Sequence, residues 1–544
     1  MSALVPFFAY VVVFAALPLA YATWKTVTPE KLRDRVFLRS LSKDYLRTIP
    51  VCALVCLPAV AFPGIARAYA TCLHLVFALP LALELGHVHL FGTRVGINTF
   101  YSLFVTNMRE TREYLRQSMS AAQWLLVLAI WLLPPVALWR LDASGAAEAP
   151  WRIAWAAGLA VAALPFFLNL LKGSERLKDG YLLNPYSNLI FNYVRFRMQY
   201  RKLVDLVARH STGPFRDIVS SLPEDEPQTY VVVIGESSSA LHHGYCGYGR
   251  ETNEFTDAIG DGMLRFHGVR SPFAQTLPVL ELALTFADSG HRDLIWEKGS
   301  VVDYFHDAGF EVSWMSNQYA LDDTVVTALT ARADRNKCYN FGDMKRFEKA
   351  GLDGDMLPDF EKAVLSPGAR KRIVFMHLIG SHSAYMNRYP SEFRHFTGQA
   401  PGKSLPAAKA QMLNAYDDSV RYTDWFVSKC VETLGKSDAA SYLLYFSDHG
   451  EDVFDSVPDK VLGHSQLANV PMTAVPMMLW VSDRLDRLRP DIRKRAAAAG
   501  SGYDLADVIH TIIDISSLSS GDFVPSKSIL NSANGSAGGP GERP

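Results

Sequence analysis

Five long apolar segments fill most of the first third of this 544-residue chain. Each is long enough to cross a bilayer as a helix, which needs about 20 residues. No basic stretch precedes the first segment and four more follow, so we interpret it as a membrane span rather than a cleaved signal peptide. The sequence therefore predicts a domain of five transmembrane helices over residues 1–172, with spans at 3–22, 48–66, 68–92, 121–139 and 153–171.

The basic residues between the spans give a first indication of orientation. Loop 25–44 carries six Lys and Arg residues and loop 93–120 carries four. The positive-inside rule assigns such loops to the cytoplasm, which would place everything after the fifth span there too. The net charge is −1, so composition gives no reason to expect a nucleic-acid partner. The six cysteines form neither a CxxC site nor a recognisable disulfide framework.

A polar linker, 173–226, follows the last span. Within it, residues 190–210 alternate aromatic side chains with Arg and Lys, which is typical of an amphipathic helix at a membrane surface. A helix docked on the following domain is the alternative. We expect the soluble domain to extend over 227–515, followed by a tail, 516–544, that ends in disorder.

Three apolar strands of the soluble domain end in residues that can bind metals. Strand 230–234 leads to Glu236, strand 373–378 leads to His382, and strand 442–446 leads to Asp448 and His449. Strands buried on both faces and alternating with helices predict an α/β domain with a mostly parallel central sheet. Parallel strands bring their carboxyl ends to one edge of the sheet, where ligand sites form. A further apolar run, 476–481, carries no such residue.

The residue types at this edge indicate a cation site. Glu236, Asp448 and His449 offer oxygen and imidazole ligands, which suit Zn²⁺, with Mn²⁺ as the less favoured alternative. Taken one at a time, each acid could equally cap a helix and each histidine could be an ordinary surface or core residue. His464 follows His449 by fifteen residues and could join His382 around the substrate or a second metal.

Two further sets of residues are candidates with weaker patterns. Thr276 precedes Leu-Pro and an apolar helical run, so its hydroxyl would lie at a helix amino terminus, a position that favours anions. Spacing alone favours a plain helix cap. Thr106 and Glu110 are four residues apart and would share one face of a helix between the third and fourth spans. Spacing alone favours a solvated loop helix there.

Three motifs together resemble those of bacterial phosphoethanolamine transferases. Residues 235–255, GESSSALHHGYCGYGRETNEF, are similar to the signature GES-x-R…GY-x-R-x-T-x-P. Residues 377–390, HLIGSHSAYMNRYP, are similar to H-x-x-GSH-x-x-Y-x-x-RYP. SDHGED at 447–452, followed by GHS, matches a motif of the wider alkaline-phosphatase and sulfatase superfamily. The resemblance covers nearly the whole chain and includes the number of spans.

The resemblance implies a zinc-dependent enzyme of the bacterial inner membrane with an alkaline-phosphatase-like domain in the periplasm. It implies a zinc site of Glu236, Thr276, Asp448 and His449, in which Thr276 is the nucleophile. The donor would be phosphatidylethanolamine and the acceptor lipopolysaccharide core, lipid A or another envelope glycan. A monomer is expected.

The resemblance also implies roles for residues around this site. His382 and His464 would bind the transferred phosphate or a second zinc ion. Thr106 and Glu110 fall where related enzymes bind substrate. The periplasmic placement conflicts with the charge count, and we follow the family because the loop with Thr106 must share a side with the site.

Departures from the signature leave alternatives open. Ser239 and Glu254 replace the usual Arg and Pro, and WMSNQ at 314–318 favours the branch acting on lipopolysaccharide core over the lipid A branch. One alternative is a phosphoglycerol transferase or phosphohydrolase of the same superfamily. Another is a non-catalytic, membrane-anchored envelope assembly protein.

Overall fold

The computed structural model describes residues 213–319, 325–340, 351–457, 461–463 and 468–531, and isolated positions between 68 and 197. The five predicted spans and the linker helix therefore lie almost entirely outside the described residues, as do Thr106, Glu110 and His464. Within the described part, no helix is both long and apolar enough to cross a membrane. The chain divides into two compact units, of which the second, 104–114 with 200–544, contains the features described below.

Seven strands form the central sheet of this second unit. Its order is β3-β10-β7-β2-β6-β4-β5, and the five strands from β7 to β5 are parallel. The other two, β10 and β3, extend the sheet antiparallel at one edge. The predicted mostly parallel sheet is confirmed. The strands are β1 Val219–Ser220, β2 Gln228–Gly235, β3 Met263–Phe266, β4 Glu311–Tyr319, β5 Arg335–Asn340, β6 Lys371–His377, β7 Ala440–Ser447, β8 Asp452–Val453, β9 Val461–Gly463, β10 Met477–Val481 and β11 Leu518–Ser519.

The sheet is followed and interrupted along the chain by α-helices, of which α6, Ala407–Leu434, is the longest in the described residues. The side chains of α5 and α6 join those of the central strands in one apolar cluster, which includes Phe360, Phe426 and Met376. The α-helices are α1 Glu254–Asp257, α2 Thr276–Ala283, α3 Val301–Asp307, α4 Val325–Leu329, α5 Leu357–Leu365, α6 Ala407–Leu434, α7 Val470–Thr473, α8 Asp483–Leu488, α9 Asp491–Ala497 and α10 Val508–Ile515.

The two central strands explain where the candidate site forms. Every residue of β2 and β7 is buried, and both strands are apolar along nearly their whole length, as expected for strands that are covered on both faces. In the parallel register, Gly235 pairs with Ser447 and Ile234 pairs with His377. The three strands thus end at the same level. The residues that follow them enter the same edge of the sheet.

The residues after α10 pack with this domain through Asn531. Leu518 and Ser519 of β11 pair with β1 in antiparallel register, and Ile529 and Leu530 are buried. The first part of the predicted tail is therefore folded, with one short strand and two buried side chains. The remainder of that tail, from 532, lies outside the described residues.

The GYGR part of the signature binds α6. Tyr248 donates to Asp417 Oδ2 at 2.7 Å and Arg250 donates to the same oxygen at 2.5 Å. His242 Nδ1 lies 2.7 Å from the other oxygen, Oδ1. Burial would lower the pKa of His242, but Asp417 and Asp455 raise it to about 9, so the imidazole is charged at neutral pH. Asp417 thus pairs with two buried cations.

Replacing Asp417 by asparagine should destabilise the domain by about 3–5 kcal/mol, because Arg250 would lose its buried counter-charge and His242 would lose one of its two carboxylate partners. Urea unfolding of the purified protein measures this loss. The matched control is Asp257→Asn, since the Asp257 side chain is 55% exposed in its pair with Arg265. That control should cost less than about 1 kcal/mol. Equal losses for the two variants would contradict a stabilising role of the Asp417 cluster.

Candidate metal centre

Glu236, Asp448 and His449 converge at the carboxyl edge of the sheet. One ligand-type atom from each lies within 4.8 Å of the others, and all three side chains are buried. His449 Nε2 is 3.3 Å from Glu236 Oε1 and 3.6 Å from Asp448 Oδ2. The structure thus brings together the three residues that strand ends alone indicated.

Thr276 adds a hydroxyl to this cluster. Its Oγ1 donates to Glu236 Oε2 at 2.9 Å and lies 3.3 Å from His449 Nε2. Thr276 is the first residue of α2, and the capping position is Gln275, whose side chain makes no capping hydrogen bond. The plain-cap interpretation of Thr276 is therefore wrong. Its backbone instead begins the helix, where the partial positive charge of the helix dipole favours an anion beside the hydroxyl.

Local hydrogen bonds fix the orientation of the candidate ligands. The backbone N–H groups of Ser237 and His449 donate to Asp448 Oδ1 at 3.2 and 2.6 Å. Ser237 Oγ donates to Glu236 Oε1 at 2.6 Å. His449 Nδ1 donates to the Gly450 carbonyl at 2.8 Å. A carbonyl can only accept, so this bond places the proton on Nδ1 and directs Nε2 into the cluster.

The electrostatics of the cluster favour a cation. Burial and the Glu236 carboxylate raise the pKa of Asp448 to about 7. Burial would lower the pKa of His449, but the two carboxylates raise it to about 10. Burial would raise the pKa of Glu236, and His449 outweighs it, so that pKa is held well below its usual range. Among the described residues, His449 is thus the main source of positive charge for the two buried acids.

A divalent metal ion fits these residues. Among the described residues, neither Glu236 nor Asp448 forms an ion pair with Lys or Arg. Asp448 Oδ2 is buried and accepts no regular hydrogen bond from the described residues. The Thr276 hydroxyl lies close enough to lower the pKa of Asp448. A buried carboxylate oxygen that lacks a hydrogen bond is costly, and metal coordination is a common solution. Two carboxylates, an imidazole and a hydroxyl make a donor set suited to Zn²⁺.

His382 follows Gly380 and Ser381, which contact the backbone of Glu236. Ser381 N–H donates to the Glu236 carbonyl at 2.9 Å. His382 itself is half-buried, and it helps to lower the pKa of Glu236. Its Nδ1 lies 3.4 Å from Ser383 Oγ. His382 is therefore close to the cluster of Glu236, Asp448 and His449 but is not a member of it.

Residues 228–517 match the family model described as sulfatase, which is more than half of the chain. The chain belongs to the sulfatase family. The SDHGED motif and the buried metal-type cluster accord with the wider superfamily that this motif indicated.

Individual relatives of this sulfatase-family chain carry a more specific name. Phosphoethanolamine transferase CptA from Salmonella typhimurium is 29% identical over 87% of this chain and 84% of its own length. The C-terminal periplasmic domain of EcEptC from Escherichia coli, solved in complex with zinc, is 29% identical. That likeness has a TM-score of 0.54 and covers 58% of this chain and 90% of the solved one.

A likeness also extends over the full length. The integral membrane protein lipooligosaccharide phosphoethanolamine transferase A from Neisseria meningitidis has a TM-score of 0.68 at 20% identity, covering 97% of this chain and 98% of its own. At this identity it supports the fold alone. The predicted resemblance to bacterial phosphoethanolamine transferases is confirmed by CptA and EcEptC, and the likeness to both is consistent with the predicted branch.

Two residues near the cluster were missed by sequence reasoning. Gln318 donates to Glu236 Oε2 at 3.1 Å, and Asp353 accepts from two N–H groups of the His382 loop. Gln318 ends the WMSNQ run, which indicated a branch but not a contact. Its place at the carboxyl end of β4 could have indicated a site residue. Asp353 had no comparable signal.

Replacing Gly450 by alanine should displace His449. A Cβ there would lie 2.2 Å from the Pro471 carbonyl oxygen, so the backbone must shift. We expect a loss of about 1–3 kcal/mol in stability together with weaker zinc binding. Thermal unfolding and metal analysis of the purified protein measure both. The control is Gly435→Ala, whose Cβ would lie 3.5 Å from its nearest neighbours, an ordinary contact. Unchanged zinc binding in the Gly450 variant would contradict this prediction.

Proposed function

We propose that this protein transfers phosphoethanolamine from phosphatidylethanolamine to an envelope acceptor, lipopolysaccharide core or lipid A, through a phosphorylated Thr276. The position of the Thr276 hydroxyl carries the proposal, because it lies 2.9 Å from Glu236 and 3.3 Å from His449 in the buried cluster. The names of the relatives CptA and EcEptC support the choice of phosphoethanolamine. Similarity to the lipopolysaccharide-core branch favours that acceptor.

Zinc is the proposed cofactor, held by Glu236, Asp448, His449 and Thr276. Support comes from the donor set and from the zinc complex of the related EcEptC domain. A zinc ion at such a site lowers the pKa of a bound hydroxyl and neutralises charge that develops on a phosphoryl group. A second zinc ion at His382 and His464 stays a prediction, and Mn²⁺ is the less favoured metal.

In the first step, Thr276 Oγ1 attacks the phosphorus of the lipid headgroup. The bond from Oγ1 to phosphorus forms as the bond from phosphorus to the diacylglycerol oxygen breaks. Glu236 Oε2 accepts the hydroxyl hydrogen bond and so orients the attacking oxygen. Oγ1 loses its proton to solvent as the new bond forms, and the departing diacylglycerol oxygen takes up one proton from solvent, so that the step consumes and releases no net proton. The start of α2 faces the phosphoryl oxygens with its positive dipole end.

In the second step, an acceptor hydroxyl or phosphate oxygen attacks the same phosphorus. The bond from phosphorus to Thr276 Oγ1 breaks, and Thr276 regains a proton while the acceptor loses one. His382 is proposed to contact the transferred group, and the hydrogen bond from Ser381 in its loop to the Glu236 carbonyl supports this role. His464 is proposed to join it. Two displacements by oxygen nucleophiles thus return the enzyme to its starting state.

The proposed setting is the periplasmic face of the bacterial inner membrane. We propose that residues 1–172 form five spans, that 173–226 form the linker with an interfacial helix, and that the catalytic domain follows from 227 to 515, with 516–544 as tail. A lipid donor is reached directly from such an anchor. Thr106 and Glu110 are proposed to bind substrate. The description of the related EcEptC domain as periplasmic supports this placement.

The proposal is tested by giving the purified protein one phospholipid at a time. We expect diacylglycerol to be released from phosphatidylethanolamine and not from phosphatidylglycerol. Release from phosphatidylglycerol instead would favour a phosphoglycerol transferase. Mass spectrometry of envelope glycolipids from cells with and without the protein then identifies the acceptor by the added phosphoethanolamine.

A further inference from the structure

Two adjacent amide side chains, Asn317 and Gln318, lie near the end of β4 beside the cluster. Gln318 Nε2 donates to Glu236 Oε2 at 3.1 Å and to the Leu378 carbonyl at 2.7 Å. Both neighbours are acceptors, so the amide nitrogen must face them. Gln318 thus connects a candidate metal ligand to the end of β6.

Asn317 makes a parallel connection through a buried acid. Its Nδ2 donates to Asp353 Oδ1 at 2.8 Å. Asp353 also accepts from the N–H groups of Ile379 and Gly380, at 2.9 and 3.0 Å. Asp353 is fully buried, so these donors satisfy a carboxylate that water does not reach.

The loop held in this way lies directly on Glu236. Gly380 has φ +47°, and a Cβ there would come within 2.7 Å of the Glu236 carbonyl oxygen. Ser381 N–H donates to that same oxygen at 2.9 Å. The next residue is His382. The end of β4 therefore contacts both the Glu236 carboxylate and the loop that leads to His382.

We propose that Gln318 is a positioning residue that orients the Glu236 carboxylate for zinc, beside Asn317, which donates to the Asp353 carboxylate under the loop that leads to His382. The Glu236 oxygens are divided between donors, with Ser237 Oγ on Oε1 and with Thr276 and Gln318 on Oε2. Without Gln318, the carboxylate keeps its charge but loses one of the bonds that fix its rotation. This inference rests on the zinc site of the proposed function.

The test is the zinc affinity of full-length Gln318→Met, measured by competition with a chelator. Methionine has a similar length but donates no hydrogen bond. Loss of a group that orients a metal ligand typically weakens binding about 10–100-fold, and we expect a change of that order. The control is Gln399→Met, because Gln399 Nε2 donates to the Leu405 carbonyl at 2.8 Å, away from Glu236. Its zinc affinity should equal that of the parent.

A second variant, Gln318→Asn, keeps the amide but shortens the side chain by one methylene, so it cannot reach both acceptors. It should also bind zinc more weakly, and a cooperative thermal transition of the zinc-free protein shows whether each Gln318 variant is folded; some loss of stability is expected, because the Leu378 carbonyl and Glu236 lose a donor. Zinc affinity within twofold of the parent in both variants would overturn the positioning role of Gln318 and would leave the proposed zinc site intact. A parent protein that binds no zinc would overturn the metal assignment of the proposed function and this inference with it.

Discussion

Replacing Thr276 by alanine is expected to lower phosphoethanolamine transfer by about 10⁴-fold or more, because the variant has no oxygen to form the covalent intermediate. The domain should stay folded, since alanine is a good helix former and Thr276 opens α2 without acting as its cap. The measurement is single-turnover release of diacylglycerol from phosphatidylethanolamine, with circular dichroism of the same samples.

The control for this prediction is Thr276→Ser, which keeps the hydroxyl that donates to Glu236 Oε2. Serine should retain measurable release of diacylglycerol, far above the alanine variant. Transfer by Thr276→Ala at a rate close to that of the parent would contradict the assignment of the nucleophile. Equal loss in both variants would also contradict it, because the hydroxyl would then not be the group that matters.

Removal of zinc is expected to abolish transfer and to destabilise the domain. Glu236 and Asp448 are both buried, and a carboxylate oxygen of one lies within 4.8 Å of a carboxylate oxygen of the other. Without a shared cation, the two carboxylates depend mainly on His449 for positive charge. A ligand that binds only the folded state stabilises it by about 2.7 kcal/mol at 100 times its Kd. We therefore expect zinc to raise the thermal midpoint and a chelator to lower it.

Reconstitution of the metal-free protein provides the control. Adding Zn²⁺ back should restore both transfer and the thermal midpoint, whereas Mg²⁺, which prefers six oxygen ligands, should restore neither. Asp448→Asn should show no metal-dependent change in the midpoint, since it removes one of the two carboxylates. Full transfer by protein shown to be free of metal would contradict a zinc-dependent reaction.

The sheet and the core of the site could be predicted because both follow from local sequence. The apolar runs of β2, β6 and β7 indicated strands buried on both faces, and parallel strands must end at one edge. Glu236, Asp448 and His449 come within two residues of such strand ends, so their convergence followed from topology. Thr276 was harder, because spacing alone favoured a cap and only the resemblance indicated a nucleophile.

The supporting contacts could not be predicted, because they join residues far apart in the chain. Gln318 contacts Glu236, which lies 82 residues away in the sequence, and Asp353 contacts Gly380, which lies 27 residues away. The GYGR part of the signature contributes to the resemblance, but its motif did not indicate that Arg250 pairs with Asp417 on α6. Hydrophobic periodicity has no information on such polar pairs. The antiparallel strand β10 likewise gave no pairing signal in its apolar run.

The covalent intermediate tests the proposed reaction most directly. The full-length protein with zinc is incubated with phosphatidylethanolamine in the absence of acceptor, quenched with acid and digested, and its peptides are analysed by mass spectrometry. We predict one peptide that gains the mass of phosphoethanolamine, with fragmentation placing the group on Thr276 and no such peptide in Thr276→Ala. A fully active protein that carries the group on another residue, or on none, would contradict transfer through Thr276.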